Sequence, residues 1–393
     1  MRGALFLLDI CCACDTLIDI CYLFDSRVVS QSAVVVFAPE TRSLSTVCIT
    51  LILIHIIFTR VVVAGNGGTG NKADQLKEPE AIFIHKKTNT LYVADLGNER
   101  IQMFSLNKLP AMGTTVIFNI TYPTKIYVDD VINGETIYVS LEGENCVKKW
   151  TKEATHGVKV GGECLYCSSV WVDKEKNVYM ASAAKHCVFK WSPRTNITTV
   201  VAGREYYAGS TSGNLNSPEG IYVDETSGTV YVADYANNRI QKWLKNAPNG
   251  TTVAGLSTSA KGSDAESLSR PTAVWVDDET HVVYVTDSSN ERIQRWVYNA
   301  SMGDTIAGGL GDGDKPDQLD QPNDLAFDNN GNLYVSDRLN GRVLMFKIIH
   351  NDPCFPTSTA GTSIYKMATV TLALQMVTWI IRWIVYNQIG QYA

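Results

Sequence analysis

The sequence predicts an all-β fold: a six-bladed β-propeller closed by an N-terminal strand, with flanking hydrophobic N- and C-terminal segments. Three observations lead to this prediction. A short motif returns six times, each copy has room for four short strands, and one strand-like segment stands alone before the first copy. Units that can bury their faces only against their neighbours are expected to close into a ring.

The recurring motif is the second strand of each unit. It reads Tyr-Val-Ala-Asp at 92–95 and 231–234, and related versions stand at 138–141, 179–182, 284–287 and 334–337. The last residues of the six copies are separated by 46, 41, 52, 53 and 50 positions. An aromatic residue follows nine positions after each copy: Phe104, Trp150, Trp191, Trp243, Trp296 and Phe346. This spacing is typical of propeller blades.

The fourth unit shows how each copy is divided into strands. We predict strands at 220–223, 230–233, 239–243 and 251–254, with a turn at 225–228. Ile221 and Val223 point to one face of the first strand and Tyr222 to the other, so both faces are apolar. A strand with two apolar faces needs cover on both sides, which blades packed around an axis provide.

The outer strands indicate how the ring closes. Units three to five end in Val-Ala-Gly or Ile-Ala-Gly at 201–203, 253–255 and 306–308, whereas no such strand follows Phe346 in the sixth. The same tripeptide stands at 63–65, before the first unit. We therefore predict that residues 60–64 supply the outer strand of the last blade and remove its free edge.

These repeats set the domain boundaries. Residues 1–58 form a leader with the apolar run 46–58, residues 59–350 form the propeller, and residues 351–393 form a linker and the hydrophobic segment 367–386. The run 46–58 suits a signal-peptide core, a signal anchor or a misassigned exon. The segment 367–386 suits a transmembrane helix, a surface helix or a packed terminal helix, so either segment could mediate membrane association.

The units resemble the NHL-repeat family, over about residues 60–350. The similarity is strongest at 218–243 (PEGIYVDETSGTVYVADYANNRIQKW). The resemblance implies a six-bladed propeller that binds a protein, a peptide or RNA on one rim, and a peptide-amidating lyase is built on a related propeller. The chain has 34 Lys and Arg against 40 Asp and Glu, a net charge of −6, which argues against a nucleic-acid partner.

An aspartate ending the second strand and an arginine five residues later occur together in four units. We predict structural salt bridges between Asp95 and Arg100, Asp234 and Arg239, Asp287 and Arg292, and Asp337 and Arg342. The other two units lose both partners, and the alternative is that this rim binds a ligand.

The two units without this pair carry cysteines. Cys146 and Cys187 take the arginine positions, and Cys164 and Cys167 lie between the units. We predict disulfides between Cys146 and Cys164 and between Cys167 and Cys187, with a zinc site at Cys164-x-x-Cys167 as the rival.

Four glycosylation sequons begin at Asn119, Asn196, Asn249 and Asn299. We place all four between the third-strand aromatic and the fourth strand, on the outer edge. They favour an extracellular, cell-surface or secretory-pathway location, and such an oxidising compartment favours the predicted disulfides.

The last candidate site lies at the channel, just after the proline that leads each unit. There Glu80, Glu219, Asn323 and Asp324 offer oxygen ligands, and six-bladed lactonases and gluconolactonases hold Ca²⁺ with such residues. The expected function is a non-catalytic binding module with a protein or peptide ligand on the rim and no cofactor. The alternatives are a Ca²⁺-dependent hydrolase, an amidating-lyase-like enzyme, or an intracellular protein- or RNA-binding scaffold.

Overall fold

The computed structural model describes residues 6–12, 16–22, 60–109, 111–131, 134–315 and 317–347. The chain divides into two units, Arg60–Ile348 and the remainder of the chain. In the second of these, β1 (Phe6–Cys12) and β2 (Thr16–Tyr22) pair as an antiparallel hairpin. The predicted apolar segments 46–58 and 367–386 and the linker lie outside the described residues. Among the described residues, no helix is long and apolar enough to cross a bilayer.

The unit Arg60–Ile348 contains six antiparallel sheets of four strands each, which confirms the predicted six-bladed propeller. Blade 1 consists of β4 (Pro79–His85), β5 (Thr90–Asp95), β6 (Arg100–Ser105) and β7 (Thr114–Phe118). Blade 2 consists of β8 (Pro123–Val131), β9 (Gly134–Leu141), β10 (Cys146–Thr151) and β11 (Val158–Val160). Blade 3 consists of β12 (Cys167–Val172), β13 (Val178–Ser182), β14 (Cys187–Ser192) and β15 (Ile197–Gly203). Blade 4 consists of β16 (Pro218–Asp224), β17 (Thr229–Asp234), β18 (Arg239–Trp243) and β19 (Thr251–Gly255). Blade 5 consists of β20 (Pro271–Val276), β21 (Val283–Asp287), β22 (Arg292–Trp296) and β23 (Asp304–Gly308). Blade 6 consists of β24 (Pro322–Phe327), β25 (Leu333–Asp337) and β26 (Arg342–Phe346), with β3 (Arg60–Ala64) as its fourth strand.

Blade 6 closes the ring as predicted. Its order is β24-β25-β26-β3, and Arg60 lies opposite Phe346 while Ala64 lies opposite Val343. Val63 is the extra residue at a register shift in this pair and is fully buried. The chain therefore leaves no unpaired edge on β26, because the segment preceding the first blade covers it.

The first strands line the axis and are longer than predicted. β16 runs from Pro218 to Asp224 because Pro218 pairs with Asp234 across a bulge. Aromatic side chains on these strands contact one another from blade to blade, with ring centroids 4.5–6.0 Å apart: Phe83, Tyr127, Trp171, Tyr222, Trp275 and Phe327. These contacts explain why the first strand is apolar on both faces.

Candidate binding face at the channel mouth

The antiparallel course of the strands gives the propeller two distinct rims. We call the rim where the first strands begin the mouth rim. It carries the connections between blades and the turns between second and third strands. We call the other the base rim; it carries the turns between first and second strands and the connections from third to fourth strands. The predicted aspartate–arginine pairs, the four cysteines and the channel carboxylates all belong to the mouth rim.

The aspartate–arginine pair of blade 4 is buried. Asp234 accepts hydrogen bonds from the backbone N–H of Asn216 at 2.7 Å, from Asn237 Nδ2 at 2.9 Å and from Arg239 Nε at 2.8 Å. Arg239 is 2% exposed. Its remaining nitrogens donate, at 2.8–3.3 Å, to carbonyl oxygens of the connection that precedes the blade: Ser210, Thr211 and Asn214. The pair therefore clamps a connection and is not displayed to a ligand.

The same clamp occurs in three further blades. The Nε–Oδ2 distances are 2.7 Å for Arg100 and Asp95, 2.8 Å for Arg292 and Asp287, and 2.6 Å for Arg342 and Asp337. All four clamped connections are long: 65–78, 204–217, 256–270 and 309–321. The connections before blades 2 and 3 are short, 119–122 and 161–166. The clamp is absent from those two blades because there is no long connection for it to hold.

The cysteine pairing differs from the prediction. Cys164 and Cys167 form a disulfide with each other, their Cα atoms 5.1 Å apart, and Cys146 and Cys187 are free and buried. Ser182 on β13 lies between Cys167 on β12 and Cys187 on β14, so these two cysteines stand two strand spacings apart. That separation, about 9–10 Å, exceeds what a disulfide spans. Burial raises the pKa of the Cys187 thiol to about 12, so this thiol stays protonated and unreactive.

The four candidate metal ligands do not form a ligand set. Asp324, 2% exposed, accepts from the backbone N–H of Ile82 at 2.9 Å, and Lys125 Nζ lies 2.5 Å from its other oxygen. Glu80 Oε2 lies 2.8 Å from Arg338 Nε. The Asn323 amide donates to the backbone oxygen of Glu80 at 2.9 Å.

A lysine and an arginine thus occupy the positions where a cation would neutralise Asp324 and Glu80, so the residues present do not fit Ca²⁺. Within the described residues, no three His, Cys, Asp or Glu side chains are grouped to hold a metal ion.

Glu219 is the channel carboxylate that remains without an ion-pair partner among the described residues. Burial, together with the nearby charges of Glu80 and Glu142, raises its pKa to about 8. Burial likewise raises the pKa of Glu80 to about 7, although Arg338 opposes the shift. Burial at the channel mouth therefore favours the protonated form of both carboxyl groups.

This carboxylate predicts a pH-dependent stability. Between the ordinary pKa of 4.5 and about 8, the folded state holds a proton on Glu219 that the unfolded state has lost. Stability contributed by this group is therefore complete below pH 4.5 and decreases up to about pH 8. We expect Glu219→Gln to remove on the order of 1–2 kcal/mol of this decrease, measured by urea unfolding at pH 5 and pH 8.5. The exposed Glu153→Gln should leave the decrease unchanged. An identical decrease in Glu219→Gln and wild type would contradict the assignment.

The mouth rim also has a set of residues that sequence reasoning missed. In every blade the residue before the first strand has a left-handed backbone, with φ between 46° and 51°: Glu78, Tyr122, Tyr166, Ser217, Arg270 and Gln321. This conformation is uncommon for residues other than glycine. The signal in the sequence is positional: in each repeat, a residue other than glycine directly precedes the residue that leads the first strand.

Four tyrosines of the mouth rim are exposed on three successive connections, and we call them the tyrosine arc. Tyr122, Tyr166, Tyr206 and Tyr207 are 54%, 58%, 61% and 69% exposed. Tyr206 also has a left-handed backbone, with φ 65°. The arc lies where the connections before blades 2 and 3 are short and continues onto the start of the connection to blade 4.

The structure corrects the placement of one sequon. Asn196, Asn249 and Asn299 lie between the third and fourth strands of their blades, as expected. Asn119 follows β7, because that fourth strand already spans Thr114–Phe118, and it lies at the mouth rim. All four asparagines are exposed.

Comparison with known families identifies the repeats. The NHL repeat model matches residues 215–243 and 319–346, which contain the first three strands of blades 4 and 6. This confirms the resemblance. The protein is a six-bladed β-propeller that carries NHL repeats.

Two curated proteins illustrate how partial its similarity to known proteins is. Peptidyl-glycine alpha-amidating monooxygenase B of Xenopus laevis is 28% identical over 138 residues, which cover 34% of this chain and 15% of the frog protein. The chloroplastic protein SUPPRESSOR OF QUENCHING 1 of Arabidopsis thaliana is 28% identical over 189 residues, or 43% of this chain and 18% of the plant protein. The matched regions thus span less than a fifth of either relative.

Solved structures share the fold. A protein of unknown function from Bacteroides thetaiotaomicron superposes with a TM-score of 0.58 at 15% identity, covering 73% of this chain and 74% of the other. A gluconolactonase from Xanthomonas campestris superposes with a TM-score of 0.52 at 13% identity, covering 75% and 91%. At such identities the likeness shows the propeller architecture alone.

Proposed function

We propose that this propeller is a non-catalytic binding module that presents its mouth rim to a protein or peptide ligand. The observation that carries the proposal is the tyrosine arc. Exposed tyrosines grouped on one face are typical of protein-binding surfaces, because their large rigid rings bury apolar area at a low entropic cost. Scattered single aromatics would carry no such meaning.

The arc is held in place by the backbone. The N–H of Tyr166 donates to Asn145 Oδ1 at 2.8 Å, and its carbonyl oxygen accepts from the N–H of Ala183 at 3.0 Å. The carbonyl oxygen of Tyr122 accepts from the N–H of Glu142 at 3.0 Å. Connections fixed in this way lose little freedom on binding, which favours affinity.

The polar groups of the mouth rim support binding over catalysis. The four aspartate–arginine clamps hold connections, and Asp324 and Glu80 are engaged by Lys125 and Arg338. One observation favours an enzyme instead: Glu219 and Glu80 are neighbouring carboxylates with raised pKa values, a property shared with general acids. A hydrolase or lyase acting at the channel is therefore the second candidate.

We also propose an extracellular or secretory-pathway location. Four exposed asparagines in sequons and a disulfide in the mouth rim support it.

The test places a photo-crosslinking amino acid at Tyr166 or, as the control, at the exposed Val158 at the base-rim end of β11, in the full chain expressed in secretory cells. We expect protein adducts from Tyr166 that are absent from position 158. We also expect the electrophoretic mobility of the chain to increase after glycosidase treatment. Equal adducts at both positions, or none at Tyr166, would reject the binding face. Lactone or peptide turnover that disappears in Glu219→Gln would instead establish the enzyme.

A further inference from the structure

We infer that the junction between blades 3 and 4 is acid-sensitive, because a histidine side chain accepts a hydrogen bond that joins the two blades at the mouth rim. Protonation of His186 breaks this bond and loosens the end of the connection 204–217, which carries Tyr206 and Tyr207 of the tyrosine arc. The inference concerns the propeller itself and does not depend on the identity of its ligand.

The hydrogen bond of His186 belongs to a contact that recurs around the ring. In each case the residue that precedes the third strand of one blade accepts, through its side chain, from the backbone N–H of the residue that precedes the first strand of the next blade. Both residues have left-handed backbones. The four pairs are Asn145 and Tyr166 at 2.8 Å, His186 and Ser217 at 3.1 Å, Asn238 and Arg270 at 3.0 Å, and Glu291 and Gln321 at 2.5 Å. We call this pairing the junction contact.

The four acceptors respond differently to acid. The amide oxygens of Asn145 and Asn238 do not titrate, and the carboxyl group of Glu291 keeps a carbonyl oxygen that accepts when the group is protonated. Nδ1 of His186 accepts from Ser217 only while it carries no proton of its own. In the imidazolium form both ring nitrogens are donors, so two N–H groups then face each other. Acid therefore breaks this one of the four contacts.

The other charged groups on the blade 3 side are compensated among themselves. The Lys185 ammonium, on the same turn as His186, lies 3.2 Å from Glu205 and 3.9 Å from Glu163. From β15, the residue that packs against this turn is the uncharged Gly203. The contact of His186 with Ser217 is therefore the acid-sensitive element of this turn.

Blade 4 holds the same end of the connection through a second, adjacent amide. The N–H of Asn216 donates to Asp234 at 2.7 Å, and the next N–H, that of Ser217, donates to His186. Asp234 is the charged group of blade 4 that acts on His186, and it is itself paired with Arg239 at 2.8 Å. Loss of the histidine contact therefore leaves the connection attached to its own blade and detached from the preceding one.

Folding opposes protonation of His186. Burial lowers the pKa of the imidazole from its ordinary 6.5, and the charge of Asp234 opposes this shift. The unfolded chain therefore takes up the proton more readily than the folded chain. The stability that the junction contact contributes is complete above pH 6.5 and is lost as the pH falls towards the lowered pKa.

Hydrogen exchange of the full chain at pH 7.5 and pH 5, corrected for the pH dependence of intrinsic exchange, tests the inference. In wild type we expect the protection of the connection 204–217 to fall about five- to tenfold more than that of 256–270, which ends in the Asn238 contact. His186→Asn should abolish this difference, because asparagine is the acceptor at two other junctions and tolerates the left-handed backbone. These measurements need no ligand, so their outcome is independent of the proposed binding face.

The matched control is His281→Asn. His281 is exposed, also has a left-handed backbone, with φ 56°, and lies in a turn of the base rim. Its substitution should leave the difference between the two connections unchanged. Equal loss of protection in both connections of wild type, or the same difference in wild type and His186→Asn, would overturn the inference. A difference that His281→Asn also abolished would reject His186 as its specific origin.

Discussion

Arg239→Ala is expected to lower the free energy of unfolding by about 3–5 kcal/mol, because it leaves the buried Asp234 carboxylate without its cation. The substitution also removes the donors to three carbonyl oxygens of the connection 204–217. Urea unfolding of the full chain measures the effect. Hydrogen exchange should increase first in that connection, since the clamp is what holds it.

Arg295→Ala is the matched control. Arg295 also pairs with an aspartate, Asp304, at 2.7 Å, but their side chains are 42% and 53% exposed. An exposed pair contributes at most about 1 kcal/mol, so this variant should remain close to wild type. If both arginine variants lost the same stability, the clamp would not be the structural element that we describe. If Arg239→Ala lost ligand binding and no stability, the arginine would belong to a binding site.

Val63→Asp is expected to have a comparable effect, a loss of about 4–5 kcal/mol, by opening the ring. Val63 is fully buried in the strand that closes blade 6 and packs in the cluster that joins blades 6 and 1. A carboxylate there meets no partner, and release of β3 exposes the edge of β26. Size-exclusion chromatography should therefore show association along with the lost stability.

Val61→Asp is the control for this change. Val61 lies in the same strand, two residues earlier, and is 38% exposed. Its substitution should change stability by less than about 1 kcal/mol and leave the protein monodisperse. Equal losses for the two variants would show that β3 tolerates charge throughout and does not close the ring.

The fold could be predicted because every blade repeats the same solution. A single short apolar run can be assigned to a strand or to another element, but six copies of one pattern support the strand assignment in every blade. The isolated segment 63–65 indicated which strand closes the ring. Strand ends were less predictable: Pro218 joins its strand only through a bulge, which the alternation of side chains does not encode. Asn119 was misplaced because the fourth strand of blade 1, β7 (Thr114–Phe118), lies before it and not after it.

The mouth rim was harder to read, because its contacts connect distant parts of the chain. The pairing of Asp234 with Arg239 could be predicted because an aspartate and an arginine recur together in four blades. The role of the pair in holding a connection could not, because the carbonyl oxygens that Arg239 binds lie 25–29 residues earlier in the chain. The cysteine pairing depends on the strand order, which places Ser182 between Cys167 and Cys187. Lys125 reaches Asp324 across 199 residues, and no local pattern reports such a contact.

The closing strand also fixes where the ring begins and ends. Since Arg60 pairs with Phe346, the polypeptide enters and leaves the ring through two hydrogen-bonded neighbours at the base rim. Both ends of the ring therefore lie at the base rim, opposite the rim that carries the tyrosine arc.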